Sequence, residues 1–210
     1  MSDNRESKLC DIADEISTCQ KCKLHKTRTN TVPGSGSFKA EVVFIGEAPG
    51  QREDEQGVPF CGQSGKFLDE MLDSINLDRE VVFIGNTLKC RPPNNRDPEE
   101  GEKQVCRPYL DRQIEIINPK LIVTLGKHAT SSMMPGAGGI SKSHGKALRR
   151  PNGQIYLALY HPAAALHNGS LRNVLMKDFA KIPKILEKIK QENAKVKDKN
   201  KKNLKQQKLV

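Results

Sequence analysis

Three residues with usable chemistry stand directly after apolar runs: Glu47, Asn86 and His161. Val42 to Ile45 stops at Gly46 and Glu47, Val81 to Ile84 stops at Gly85 and Asn86, and Ile155 to Tyr160 stops at His161. Continuous apolar runs of this length read as buried parallel strands. Ligands of open α/β sheets sit outside the carboxyl ends of such strands. If the three strands are neighbours, a carboxylate, an amide and an imidazole converge on one crevice. A carboxylate positions water or moves a proton, an amide reads a donor and acceptor pattern, and an imidazole donates or exchanges a proton. Gly46, Ala48 and Gly50 allow close backbone approach beside Glu47, and Phe60 offers an aromatic face. The plain alternative is a set of ordinary turn residues with one structural histidine. Repetition of the pattern at three strand ends favours a site.

A second constellation is built from sulfur. Of six cysteines, Cys19 and Cys22 form a CxxC pair, and Cys90 and Cys106 lie far downstream. Four thiolates hold either a zinc ion or a [4Fe–4S] cluster, and composition does not choose between them. Disulfides are disfavoured, because the chain opens on MSDNRESK with no apolar signal segment. That opening, and the lack of a membrane-length apolar run, point to a cytoplasmic, intracellular protein. Cys10 and Cys61 have no assigned role.

The elements that must position these residues alternate. Residues 5–17 read as a helix leading into the CxxC. Strands are expected at 41–45, 80–84, 121–125 and 155–160. Ser64 is expected to cap a helix with Phe67, Leu68, Met71, Leu72 and Ile75 on its apolar face. Asp97 is expected to cap another, with Pro98 at its first position, running to about Ile117 and carrying Cys106. A short helix at 127–134 precedes a glycine-rich loop, and a last helix at 170–189 is expected to kink at Pro183. This order predicts an α/β fold: a single three-layer domain with a central four-stranded parallel sheet flanked by helices.

The 210 residues suffice for one core, at 36% apolar content. Formal charge is +10, of which residues 188–210 carry +7 through nine lysines. The expected division is a domain at 1–189 and a basic tail at 190–210, disordered or a frayed extension of the last helix. Such a tail tethers phosphate backbones or only solubilises the chain.

The GEAPG loop at 46–50, the segment GVPFCGQSG at 57–65, Asn86 within GNTLKC and the HPAAAL segment at 161–166 resemble, in order and spacing, the family 4 uracil-DNA glycosylases. These are the thermostable, iron–sulfur-containing branch of their superfamily, and the resemblance runs from about Cys19 to about Ile189. It implies a DNA repair enzyme that hydrolyses the N-glycosidic bond of uracil in single- or double-stranded DNA. It chooses the cluster over zinc, with Cys19, Cys22, Cys90 and Cys106 as ligands in a structural role. No nucleotide or catalytic metal is implied. Uracil-containing DNA is the implied partner of a monomeric protein, nucleoid-associated when bound to DNA.

The implied uracil pocket comprises Gly46, Glu47, Ala48, Phe60, Asn86 and His161, with Glu47 and His161 catalytic. Better-known relatives carry Gln-Asp at the positions of Glu47-Ala48, so Ala48 cannot activate water as their Asp does. They also carry a Tyr at the position of Gly50 that blocks the thymine methyl. Glu53 is the expected substitute for that block. Leu166 is placed to wedge into the stack, and Arg172, Lys142 and His144 to meet DNA.

Overall fold

The computed structural model describes the backbone of residues 4–207 and the side chains of residues 4–195. Its centre is a sheet of six strands: β1 (Ser35–Gly36), β2 (Val42–Gly46), β3 (Phe83–Asn86), β4 (Leu121–Leu125), β5 (Ala147–Arg149) and β6 (Ile155–Leu159). Their spatial order is β1-β3-β2-β4-β6-β5. The four expected strands form the parallel centre. The expectation of a purely parallel four-stranded sheet is corrected, because β1 and β5 add antiparallel edges. Both are two or three residues long, too short for their pattern to register in the sequence.

Every residue of β2, β4 and β6 is buried. Successive side chains of a strand point to opposite faces, so β2 feeds two cores. Val42 and Phe44 join the first core, with Phe67, Leu68, Met71 and Leu72 of α3 (Gln63–Asp73) and with Leu175 and Phe179 of α8 (Ser170–Phe179). Phe44 stacks on Phe179 at 5.4 Å. Val43 and Ile45 join the second, with Leu110 and Ile117 of α4 (Glu100–Ile117) and Met133 of α5 (Lys127–Met133). Helix α1 (Arg5–Ser17) packs on α4 through Ile12, Ile16 and Tyr109. Three layers with helices on both faces result.

Several element ends differ from expectation for local reasons. Strand β3 starts at Phe83 rather than residue 80, because the Asp78 carboxylate accepts from the N–H groups of Glu80 and Val81 and holds them in a turn. Gly62, not Ser64, precedes α3. Helix α4 is capped by Glu99 rather than Asp97: the Glu102 carboxylate accepts from the Glu99 N–H at 2.9 Å and takes a bidentate fork from Arg96. The expected helix over 170–189 is two helices, α8 and α9 (Ile182–Gln207). Pro183 does not kink a helix. It occupies the first turn of α9, where its missing N–H costs nothing. The backbone of α9 runs without interruption past residue 189, and Ile189 is still buried against the first core. Three short helices not anticipated as such, α2 (Gln51–Gln56), α6 (Ile140–Ser143) and α7 (Pro162–His167), follow the functional loops. No described helix is long and apolar enough to cross a membrane.

Candidate active site

Of the three strand-end residues only Asn86 and His161 share a cavity, although β3, β2, β4 and β6 are consecutive neighbours as expected. A cavity of about 290 Å³ lies at their carboxyl ends, lined by Ala48, Gly50, Glu53, Phe60, Ser64, Asn86, Asn95, His161 and Ala163. That is the low end of the range for small-ligand sites, about 300–1,000 Å³.

His161 ends β6 and caps α7. Its Nδ1 accepts from the Ala163 backbone N–H at 3.1 Å. Burial lowers its pKa to about 4, with the Glu53 charge pulling weakly the other way. The imidazole is therefore neutral at pH 7 with its proton on Nε2, so the nitrogen left over is a donor. Asn86 is only 2% exposed, and its side-chain amide has no hydrogen-bond partner among the described residues. It lines the cavity with its pairing capacity uncommitted.

Phe60 stacks against His161 at 5.5 Å between ring centres. Its backbone sits at φ 51°, a left-handed conformation costly for a bulky residue. Two features hold it there. Arg79, anchored on Asp69 at 2.6 Å, donates to the carbonyls of Pro59 at 2.9 Å and Phe60 at 2.5 Å. Gly65 lets the Phe60 carbonyl approach, since a Cβ at 65 would collide with it. A Cβ at Gly46 would likewise strike Asn86 Oδ1 and the Phe60 ring. Two glycines of the sequence motifs are thus explained by close approach around one aromatic ring.

Glu53 accepts from the Gly50 N–H and the Gly62 N–H, both at 3.1 Å, and so clamps the two motif loops together. It also reaches the cavity wall. Glu47 does not line that cavity. Its carboxylate faces Asp97 and His128 on the β4 side, and burial raises its pKa.

The four expected cysteine ligands gather behind the Glu47 loop. Cys90 is buried, and Cys22, Cys106 and Ala48 pack beside it with Leu24 and Leu88; Cys19 and Cys106 border Tyr109. All six cysteines are free thiols. Two N–H donors already point at sulfur: Arg28 Nη1 to Cys90 at 3.2 Å and the Lys89 backbone N–H to Cys106 at 3.3 Å. Burial pushes the Cys22 and Cys90 thiols up, and Cys106 to about 11, and neighbouring cysteine charges add to each shift. Four cysteines gathered in one corner, with N–H donors already on two of their sulfurs, fit a thiolate-held cluster. Cys10 is exposed on α1, and Cys61 is half-buried near Glu53 and Arg79, apart from this group.

Of the residues expected to meet DNA, Leu166 is 49% exposed at the end of α7 and Lys142 is exposed on α6. Arg172 is paired with Glu70 and lies over the Phe67 ring at 4.5 Å. His144 is committed inward. Its Nδ1 bonds Asp178 at 2.6 Å, and its ring packs on Tyr160.

Sequence reasoning missed Asn95, Arg79, Arg28 and His128. The consecutive asparagines Asn94 and Asn95, both at positive φ, were the available signal for a shaped loop. Asn95 Oδ1 accepts from Arg91 Nε at 2.8 Å, which holds that loop over the cavity.

A family model described as the Uracil DNA glycosylase superfamily matches residues 33–190. Among curated proteins, a Type-4 uracil-DNA glycosylase of Sulfurisphaera tokodaii is 52% identical over 179 residues, covering 81% of each chain. Those of Saccharolobus solfataricus and Archaeoglobus fulgidus are 50% and 48% identical, covering 83% of this chain and 85% and 91% of theirs. With the strand-end cavity and the four gathered cysteines, these matches place the chain in the type-4 branch of the uracil-DNA glycosylase superfamily.

Proposed function

We infer that the protein hydrolyses the N-glycosidic bond of uracil in DNA and leaves an abasic site. One observation carries the reading: an Asn86 amide that opens on the cavity with no protein partner faces a neutral His161 whose Nε2–H is free. As the bond to C1′ breaks, the base departs with negative charge and the sugar becomes cation-like. A fixed donor near uracil O2 stabilises that anion, and such preorganised donors supply the largest catalytic share. His161 Nε2–H takes this role. Asn86 accepts from uracil N3–H and donates to O4, the reverse of what cytosine presents at those atoms. Phe60 provides the stacking face for the flipped ring.

Glu47 acts from the β2 end, positioning water or stabilising the sugar cation. Glu53, fixed by its two backbone N–H bonds, stands where a 5-methyl group would press and excludes thymine. Flipping costs a few kcal/mol, and the exposed Leu166 fills the vacated stack. Lys142 and Arg172 meet phosphates, while His144 shapes the loop that carries Lys142. Cys19, Cys22, Cys90 and Cys106 hold a [4Fe–4S] cluster, which when bound cross-links the CxxC segment to the 90–106 region and needs no redox role in a hydrolysis. DNA is the macromolecular partner.

The test is excision from single- and double-stranded oligonucleotides bearing one uracil, using iron-loaded protein without added metal or nucleotide. Strand breaks after alkaline treatment, on uracil but not thymine substrates, are the expected result. Intact oligonucleotide after alkali would remove the assignment.

A further inference from the structure

Three of the four central strands, β2, β3 and β6, end in a residue already given a role. The fourth, β4, lies between β2 and β6 and ends at Leu125-Gly126. Two residues on, in the first turn of α5, stands His128. One ligand-capable atom each of Glu47, Asp97 and His128 lies within 4.8 Å of the other two. His128 Nε2 is 3.6 Å from Asp97 Oδ2. The Glu47 and Asp97 carboxylates have no hydrogen-bond partner among the described residues, so this cluster is not spoken for by the fold. Its members come from three separate segments: the β2 end, the loop before α4, and α5.

We propose that His128, backed by Asp97, is a positioning residue that fixes the Glu47 carboxylate at the β2–β4 end of the crevice. The inference rests on the reading of Glu47 as a working carboxylate. The order is carboxylate, imidazole, carboxylate. The Asp97 oxygen orients the ring, and the ring faces Glu47. The separations exceed a hydrogen bond, and polar contacts of this length close through a bridging water or on substrate binding. The charged groups facing Glu47 are His128 on α5, Asp97 in the loop and Lys103 on α4. Burial raises the Glu47 pKa, Asp97 raises it further, and His128 and Lys103 lower it. A cationic neighbour thus favours the ionised carboxylate at a site that otherwise disfavours it. The competing account is structural: Asp97 and His128 merely tie the loop to α5.

A double-mutant cycle separates the two on the full, iron-loaded chain. Single-turnover excision is measured for Glu47→Gln, His128→Ala, Asp97→Asn and Glu47→Gln/His128→Ala, between pH 5 and 9. His128→Ala is expected to slow excision by roughly 10- to 100-fold at unchanged DNA affinity. Its acid limb should move to higher pH, because loss of a cation raises the pKa of the carboxyl that must be ionised. In the Glu47→Gln background the same change should have no effect. An equal loss from His128→Ala with or without Glu47 overturns the proposal. So does a full-rate His128→Ala protein when Glu47→Gln is slow. A full-rate Glu47→Gln protein instead removes the role of Glu47 itself and leaves uracil excision standing. If His128→Ala melts early, His128→Gln, which keeps a donor, enters the cycle in its place.

Discussion

The strand-end cavity and the cysteine corner are separated by one loop, 46–50, yet they treat polar atoms in opposite ways. In the cavity, Asn86 turns an amide without a protein partner toward the open space, and His161 spends one nitrogen on the Ala163 N–H and keeps the other. In the corner, Cys90 and Cys106 already accept N–H donors from Arg28 and Lys89. An amide that opens on a cavity keeps its donor and acceptor capacity for whatever enters it. A transient ligand is met by reserved donors, and a resident group by donors that are already in place. The corner is also tied into the fold elsewhere. Arg28 Nη1 holds the Cys19 carbonyl at 2.8 Å, and the fully buried Lys89 ammonium donates to Pro33 O and Gln113 Oε1. Damage in the corner should spread through the protein, and damage in the cavity should stay local.

The largest expected effect is therefore structural. Cys19→Ala or Cys106→Ala should lower iron content, solubility and melting temperature together, because metal binding is coupled to folding. Cys10→Ala, on the exposed face of α1, should change none of them. Iron analysis and a thermal melt on the same preparations check this. Equal iron loss from Cys10→Ala would break the comparison at its cysteine end.

Next comes His161→Ala. Removing one preorganised donor costs about 10²–10³ in rate, with little change in melting temperature. The pH dependence has a definite sign. The folded pKa of about 4 lies below the ordinary value of 6.5, so the imidazole stays neutral as pH falls through 6.5. Excision should show no histidine limb there, and any acid limb belongs to a carboxylate with a raised pKa, Glu47. Stability runs the same way. The unfolded chain takes up a proton near 6.5 and the folded chain only near 4, so stability falls as pH drops between those values. Urea midpoints at pH 7 and 5, for wild type and His161→Phe, measure that loss.

What the sequence made legible follows from range. Glu47, Asn86, His161 and the four cysteines each announce themselves by residue type at the end of a run or in a short spacing, and the sheet delivers the rest by placing parallel strands side by side. Arg79 and His128 act across the chain on groups about 20 to 80 residues away, and no local pattern marks them. Glu53 was legible as a pocket residue but not as the clamp between Gly50 and Gly62, which depends on two loops meeting. His144 is legible as a candidate for DNA contact but not as the partner of Asp178, which lies 34 residues downstream.

A sharper probe of the cavity is Asn86→Asp. A protonated carboxyl presents a donor where cytosine N3 accepts, so uracil excision should weaken and cytosine excision should improve. The discrimination carried by such a polar contact is large, since the wrong base leaves a buried group unpaired. Rates on matched uracil and cytosine oligonucleotides test it. Undiminished uracil excision with no gain on cytosine would remove Asn86 from base recognition.

The smallest effect lies outside both regions. The first turns of the tail belong to the body: Lys190 pairs with Glu41, Arg149 pairs with Glu192, and Ile189 is buried. A cut at residue 188 would disturb that packing, whereas a cut after Ala194 leaves it intact. The shorter deletion still removes seven lysines and one aspartate. If those lysines meet phosphates, DNA affinity should fall, and the slope of log affinity against log salt should flatten by up to about 0.9 per lost contact on duplex DNA. Single-turnover rate at saturating enzyme should stay the same, because Glu47, Asn86 and His161 are untouched. So should iron content, because no cysteine lies beyond Cys106. An unchanged salt slope with an unchanged melt would make the tail a solubilising segment. A drop in iron or in saturated rate would mean that the two regions are coupled to a helix touching neither, and their independence would have to be given up.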